Sequence, residues 1–440
     1  MGNQLVFITI TALTIGIFSF SIYRIFSFMK FTQAGYPIRD IKQRIKITLD
    51  VALGQTKIMR LPVIGLMHAL VFWGFVVISI GTTEMVIDGI LGTHRIFSVT
   101  AGFYKFITAS GEIFAALIIF SCLAFLLRRH LLRVKRFSGQ EMTTGSSLDA
   151  TIALTLIILL MVSLLGMNLG YVLSAPSALV GMYPVSNSIA SMMAGWQNSA
   201  AEIEIINWWT HVMLVFVFAN ILPYSKHFHV FMSVPNVFMS RLEPLTKLSN
   251  METVTQEVKL MMNPDTAFAN PPEGNQEAPS RFGVKDVEDA SWNNYVDSLT
   301  CTECGRCTSV CPANITGKKL SPRKIFVDYR KRMSEKGPGL VKEGKDFTDN
   351  KSLLGDYISA EELWACTTCN ACAQECPVNI DHVSLIVDMR RYMVMEESSA
   401  PAQLNNMFAN IENNGAPWPF AQTERFNWAN DLYINTGNQN

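Results

Sequence analysis

Five apolar runs dominate the first half of this chain, at about 5–29, 62–87, 107–127, 150–173 and 205–224. Each is long enough to cross a hydrocarbon core of roughly 30 Å. Inside that core every backbone N–H and C=O must find its partner within the protein, so such runs are restricted to helices. Five transmembrane helices are therefore predicted. A composition of 49% hydrophobic and 16% charged residues agrees. The first run has no Lys or Arg before its apolar core and no clean small-residue cleavage site after it, so an uncleaved helix is expected and not a signal peptide.

Basic residues fix the expected orientation, because Lys and Arg concentrate in cytoplasmic loops. Lys30, Arg39, Lys42, Arg44, Lys46, Lys57 and Arg60 lie between the first two runs, and Arg128, Arg129, Arg133, Lys135 and Arg136 between the third and fourth. Residues 88–106 hold only Arg95 and Lys105, and 174–204 hold neither type. The N-terminus is expected outside and everything after the fifth run inside. A formal net charge of zero gives no basic excess for nucleic acid. The expected organisation is a membrane domain at 1–235, a linker at 236–283, a soluble domain at 284–398 and a tail at 399–440. The stretch at 263–283, "NPDTAFANPPEGNQEAPSRFG", has few core-forming residues.

Eight of the nine cysteines form two copies of C-x2-C-x2-C-x3-C-P: Cys301, Cys304, Cys307 and Cys311 before Pro312, and Cys366, Cys369, Cys372 and Cys376 before Pro377. This spacing is the bacterial ferredoxin run for [4Fe–4S] clusters, in which the fourth cysteine ligates the other cluster. The expected sets are Cys301, Cys304, Cys307 and Cys376 for one cluster, and Cys366, Cys369, Cys372 and Cys311 for the second. Zinc also takes four thiolates, but usually from two separated knuckles. Cys122, alone in an apolar run, reads as a small buried hydrophobe. Between the motifs, Ser321 before Pro322 reads as a helix start. Lys318, Lys319, Arg323 and Lys324 read as a solvated face, with docking of an acidic partner as the sharper alternative.

Histidines suggest a second kind of centre. His211 and His229 are eighteen residues apart, five helical turns and about 27 Å, so a continuous helix would carry both on one face, one near each membrane surface. His68 lies level with His229, and opposed imidazoles of this kind hold a b-type haem in helical bundles. A haem b between His68 and His229 is expected, and a second between His94 and His211. Glu84, Asp88, Lys105 and Glu112 fall on the outer half of the second and third spans, where a quinone headgroup would need polar partners. Interfacial or packing roles are the plainer reading of those four.

With these residues in place, the membrane half resembles the cytochrome b (gamma) subunit of respiratory nitrate reductases. That family has five spans, an external N-terminus, and a last span with two haem-ligating histidines eighteen apart, the second followed by a segment like "FMSVP" here. His68, His211 and His229 match family ligands. The family's other ligand, ten residues after the first, corresponds to Ile78. The soluble half resembles the ferredoxin module of heterodisulfide-reductase-related membrane oxidoreductases, through "FGVKDVEDASW", "CTECGRCTSVCPANITGKKLSPRK" and "NNGAPWPFAQTERFNWANDL". In many relatives cysteine-rich CCG domains follow the last segment. The resemblance implies a separate CCG-bearing iron–sulfur subunit docked near the aromatic tail of Trp418, Phe420, Phe426 and Trp428.

The fold expected is mainly α: a five-helix haem-binding membrane bundle followed by a cytoplasmic helical domain with two [4Fe–4S] clusters. The function implied is a multi-pass electron-transfer subunit of a bacterial cytoplasmic (inner) membrane, linking a soluble partner to a quinone, menaquinone above all. The relatives imply an electron-transfer flavoprotein as donor or, with reversed flow, quinol oxidation for a disulfide or sulfur-compound reductase. A haem-free anchor for an iron–sulfur partner is the reading from a different class.

Overall fold

The apolar runs fold as five long helices: α1 (Gly2–Ser27), α2 (Pro62–Leu91), α3 (Gly102–His130), α4 (Thr144–Ser174) and α5 (Ala200–Ile221). They are taken from a computed structural model that describes residues 2–132, 134–137, 139, 141–174, 179–193, 195–263 and 281–430. Arg133, most of the expected linker stretch (264–280) and the end of the tail (431–440) lie outside the described residues. All five helical segments are long and apolar enough to span a bilayer. Leu13, Phe20, Val63, Phe120 and Val217 are exposed on their outer faces. Apolar surface of that extent is costly in water and ordinary against lipid. Inside, Ile78, Ala115, Ile118, Leu160 and Met161 pack together with Cys122, which is the small core residue the sequence suggests.

The last span departs from expectation. A helix running unbroken from His211 to His229 does not form. After α5 a 3-10 turn (Leu222–Tyr224) contains Pro223, Ser225 is extended at φ −101° and ψ 153°, and a second turn (Lys226–Phe228) leads into α6 (His229–Met239). Pro223 has no N–H for the helical ladder, and Ser225 Oγ accepts the His227 N–H at 3.0 Å, capping the new turn. His211 and His229 thus stand on separate helices. Helix α6 also runs past 235, and Asn236 is buried, so the expected start of the linker falls inside a packed helix.

The C-terminal domain is built on α7 (Trp292–Thr300), α8 (Pro322–Glu343) and α9 (His382–Met395). Ser321 caps α8 by accepting the Lys324 N–H, with Pro322 in the first turn, as the sequence predicts. Among the described residues there are no named β-strands, only isolated bridges. Val287, Tyr295, Phe326, Tyr329, Met333, Leu385 and Met389 make an apolar core that continues into Ile25, Phe28, Phe228 and Met232 of the membrane half. One core spans both parts, so the domain is seated on the end of the bundle where α1 finishes. Beyond it, α10 (Ala402–Asn414) and a 3-10 stretch (Gln422–Ala429) leave Trp418, Phe420, Phe426 and Trp428 exposed.

The basic residues near Ser321 do not form one open face. Arg323 is buried against Glu141 of the loop before α4, its Nε donating at 2.8 Å, and Lys324 pairs with Asp328 at 2.7 Å and Glu362 at 3.0 Å. Lys318 and Lys319 remain exposed.

Candidate metal centres

Both cysteine loops are curled by left-handed residues at matching positions: Glu303 (φ 58°) and Gly305 (φ 73°) in the first, Thr368 (φ 53°) and Asn370 (φ 60°) in the second. Gly305 is required twice over, because a Cβ there would also lie 2.5 Å from the carbonyl oxygen of Arg136. The result brings Cys301, Cys304, Cys307 and Cys376 to the wall of one cavity, the first of the expected sets. Around Cys311, burial raises the thiol and the nearest thiols adding to the effect are Cys366 and Cys369. Burial likewise pushes Cys372 up to about 12, with Cys366, Cys311 and Cys369 contributing. The first four thiols thus share a cavity wall, while Cys311 stands with thiols of the second motif. Cys307 and Cys372 meet between them, packed with Val383 and Val387.

Burial pushes Cys301 up to about 11 as well. Thiols buried this way ionise only beside a compensating positive centre, as iron in a cluster provides. Among the described residues no three His, Cys, Asp or Glu side chains converge closely enough for a single ion. Four thiols spread round a cavity suit a multi-atom cluster better than one tetrahedral metal. His382, which motif spacing does not reveal, also lines the first cavity, buried with Nδ1 unpartnered and its ring against Phe326.

The first thiol group faces the membrane half. Lys57 donates to the Cys376 carbonyl oxygen at 3.2 Å and to Asn379 Oδ1 at 2.6 Å, while Arg306 donates to the carbonyls of Lys57 (2.8 Å) and Ile58 (3.1 Å). The second group lies toward solvent, with Cys369 exposed.

Gln55 of the 55–60 loop reaches His68, and Lys226, which faces Glu303 of the first cysteine loop, reaches His229. His68 Nδ1 donates to Gln55 Oε1 at 3.2 Å and His229 Nδ1 to the Lys226 carbonyl at 3.2 Å. Each ring is thereby oriented with Nε2 left for a ligand, the arrangement usual in metal-binding histidines. His227 is engaged elsewhere, with Ser225 and Asp149.

His211 is held the same way, Nδ1 donating to the Leu160 carbonyl at 2.9 Å, and its buried Nε2 has no partner. His94 does not join it. The His94 side chain is 68% exposed and contacts Glu204 at 3.3 Å, seven residues and about 10 Å along α5 from His211. The expected pairing of His94 with His211 is not formed, because His94 follows the αL end of α2 and sits out in the connecting loop.

Away from the C-terminal domain, a cavity of about 90 Å³ is lined by Glu84, Asp88, Glu112, His94, Arg95 and Tyr104 among others. Asp88 is occupied in capping the next turn, accepting from the N–H groups of Arg95 (2.7 Å) and Ile96 (3.2 Å). Glu112 is occupied too, accepting from Val185 (2.9 Å) and Ser186 (3.1 Å) at the start of the short helix Pro184–Met192. Lys105 is exposed and does not line the cavity. Glu84 accepts from Tyr104 at 3.3 Å, and Arg95 donates to Tyr183 at 2.7 Å with its Nε unpartnered. The paucity of basic residues in 88–106 was the one sequence signal that set Arg95 apart.

Comparison with known proteins agrees with the cysteine geometry. Residues 300–380 match the family model described as a 4Fe-4S dicluster domain. The C-terminal domain is a 4Fe-4S dicluster domain. The chain is 29% identical to the "Probable iron-sulfur-binding oxidoreductase FadF" of Bacillus subtilis, over 98% of this chain and 61% of that protein. It is 26% identical to the "EtfAB:quinone oxidoreductase" of Syntrophomonas wolfei, over 89% of this chain and 54% of the relative. A "Probable membrane-anchored ferredoxin" of Chromohalobacter salexigens is 35% identical over 36% of this chain and 25% of its own length, so that likeness is confined to a segment. The chain thus spans about 61% and 54% of the two relatives it matches at length. No solved structure matches.

Proposed function

We propose that this chain is the membrane electron-transfer subunit of a quinone-linked iron–sulfur oxidoreductase, with the dicluster domain on the cytoplasmic side and the N-terminus outside. The observation that carries the reading is the seating of the first thiol group on the 55–60 loop, where Lys57 donates to the Cys376 carbonyl and Gln55 holds His68, with His229 tied in through Lys226 and Glu303. Two [4Fe–4S] clusters and a haem b supply one-electron transfer when bound. Cys301, Cys304, Cys307 and Cys376 would hold one cluster, Cys366, Cys369, Cys372 and Cys311 the other, and His68 with His229 the haem.

The residues around these ligands orient them and exclude water. Gln55 and the Lys226 carbonyl fix the two imidazoles as Nδ1–H tautomers. Arg330 donates to the Cys301 carbonyl at 2.9 Å, and Arg390 donates to that of Cys366, holding the two loops from the α8 and α9 sides. The exposed edge at Cys369 is where a soluble redox partner can approach. An electron-transfer flavoprotein is the donor we favour, supported by the likeness to the EtfAB:quinone oxidoreductase of Syntrophomonas wolfei. The exposed aromatics of the tail suit a CCG-bearing iron–sulfur subunit.

The cavity beside Glu84 suits the headgroup of menaquinone or a similar quinone, being apolar along Val77, Ile78, Met85 and Ile107 with polar groups at one end. Reduction to quinol consumes two electrons and two protons, and Glu84 with Tyr104 is placed to hand on a proton. His211, its buried Nε2 free, is left as a candidate ligand for a second haem, without His94 as its partner. Reduced-minus-oxidised optical spectra of the purified full chain test the proposal. A b-type α-band that is re-oxidised by a menaquinone analogue is expected; absence of the band would leave only a haem-free anchor.

A further inference from the structure

The break at Ser225 places Lys226 where it touches both candidate centres. Its side chain is 6% exposed and its ammonium faces Glu303, at 3.4 Å, inside the Cys301–Cys304 loop. Its carbonyl oxygen accepts the Nδ1–H of His229 at 3.2 Å. One residue therefore joins the first thiol group to the proposed haem ligand.

Glu303 is a committed partner. It takes a left-handed conformation, is buried, and its carboxylate accepts from Arg330, from Ser146 Oγ and from Lys226. Ser146 closes the triangle, since Lys226 Nζ also donates to its carbonyl and, at 3.0 Å, to its hydroxyl. The other charges facing the group are Arg129 and Asp149, the latter accepting the Lys226 N–H at 3.3 Å. A non-glycine residue at positive φ and a buried lysine are both unfavourable by themselves. Their occurrence together, between two candidate redox sites, calls for a role beyond packing.

We propose that Lys226 and Glu303 form a positioning pair that couples the electrostatics of the first thiol group to the orientation of His229. The proposal rests on the cofactor reading above. Two physical effects make it work. The Glu303 carboxylate sits beside the Cys301 and Cys304 positions in a dry environment, where a charge acts strongly on a neighbouring redox centre. The hydrogen bond from His229 to a fixed carbonyl sets that imidazole's basicity, and what fixes the carbonyl is the anchored Lys226 side chain.

The test uses the full chain in detergent or nanodiscs, with potentiometric titration read by the cluster EPR signals and the haem α-band. Glu303→Gln removes a negative charge and should raise the midpoint of the first cluster. Lys226→Met removes a positive charge and should lower it, while also shifting the haem midpoint through the loosened carbonyl. In the double variant the haem shift should equal that of Lys226→Met alone instead of the sum. A haem midpoint unmoved by either substitution, with both centres loaded, would overturn the coupling. Should either variant fail to fold, Ser146→Ala keeps both charges and removes the shared hydroxyl, and the same two readings decide. Absence of haem in the unsubstituted protein would instead overturn the cofactor reading.

Discussion

The ammonium of Lys57 donates to the carbonyl oxygen of Cys376 at 3.2 Å, joining the loop between the first two spans to a cysteine at the other end of the chain. Cys376 belongs to the second motif in sequence and to the first thiol group in space. The contact brings the membrane loop against the shared wall of both motifs, so the domain cannot slide on the bundle without breaking it. Arg306 reinforces the seat by donating to two carbonyls of the same loop.

Arg306→Ala should loosen that seat. Two part-buried carbonyls lose a charged donor, at a cost of about 1–3 kcal/mol. Hydrogen exchange of the 55–60 amides should accelerate relative to the parent chain, while the helices α3 and α4 stay protected. Unchanged exchange there would show that Lys57 and Arg60 suffice to hold the loop.

Crossed ligation makes a counterintuitive prediction about the cysteines. Cys311→Ser, in the first motif, should disturb the cluster of the second, and Cys376→Ser that of the first. EPR of the reduced protein, compared with Cys304→Ser and Cys369→Ser as references for each cluster, reads this directly. If Cys311→Ser gave the same spectrum as Cys304→Ser, ligation would follow the motifs and not the crossed groups.

Among the histidines, His68→Ala and His229→Ala should each abolish the haem b signal held at the dicluster end. His94→Ala should leave the optical spectrum unchanged, because its ring is at the surface with Glu204. Loss of a band in His94→Ala would show that the loop closes onto His211 when haem binds.

Asp286 is the electrostatic centre of the dicluster domain. Burial by itself would raise its carboxyl, but hydrogen bonds from Arg332 (2.7 Å) and Lys336 (2.9 Å) outweigh that and hold it below the usual carboxylate value. A carboxyl lowered on folding contributes stability above its unfolded value of about 3.9 and loses it as pH falls toward the folded one. Asp286→Asn should therefore cost about 1–3 kcal/mol near neutral pH, the loss of charge-assisted hydrogen bonds, since Arg332 keeps Asp349 and Lys336 keeps Glu288. Thermal melts in detergent should show that gap narrowing on acidification; a gap independent of pH would assign the loss to packing.

Much of this protein was determined by local sequence. Apolar runs longer than a bilayer core have one hydrogen-bonded solution, which is why α1 to α5 were legible, and a four-cysteine spacing dictates a curled loop wherever it lies. Ser321 and Pro322 announced α8 because capping is a contact between near neighbours. What only the tertiary structure decided involves partners far apart in the chain. Helical periodicity put His211 and His229 on one face, but Pro223 and Ser225 break the helix, and the segment after them is held by Asp149, Ser146 and Glu303 from elsewhere. Arg323 and Lys324 looked like a solvated face until Glu141 and Glu362 came across to bury and pair them. Spacing along a chain sets the local curl that presents a ligand; whether a charge is free, paired or placed between two centres depends on which distant segment packs against it, and no periodicity encodes that.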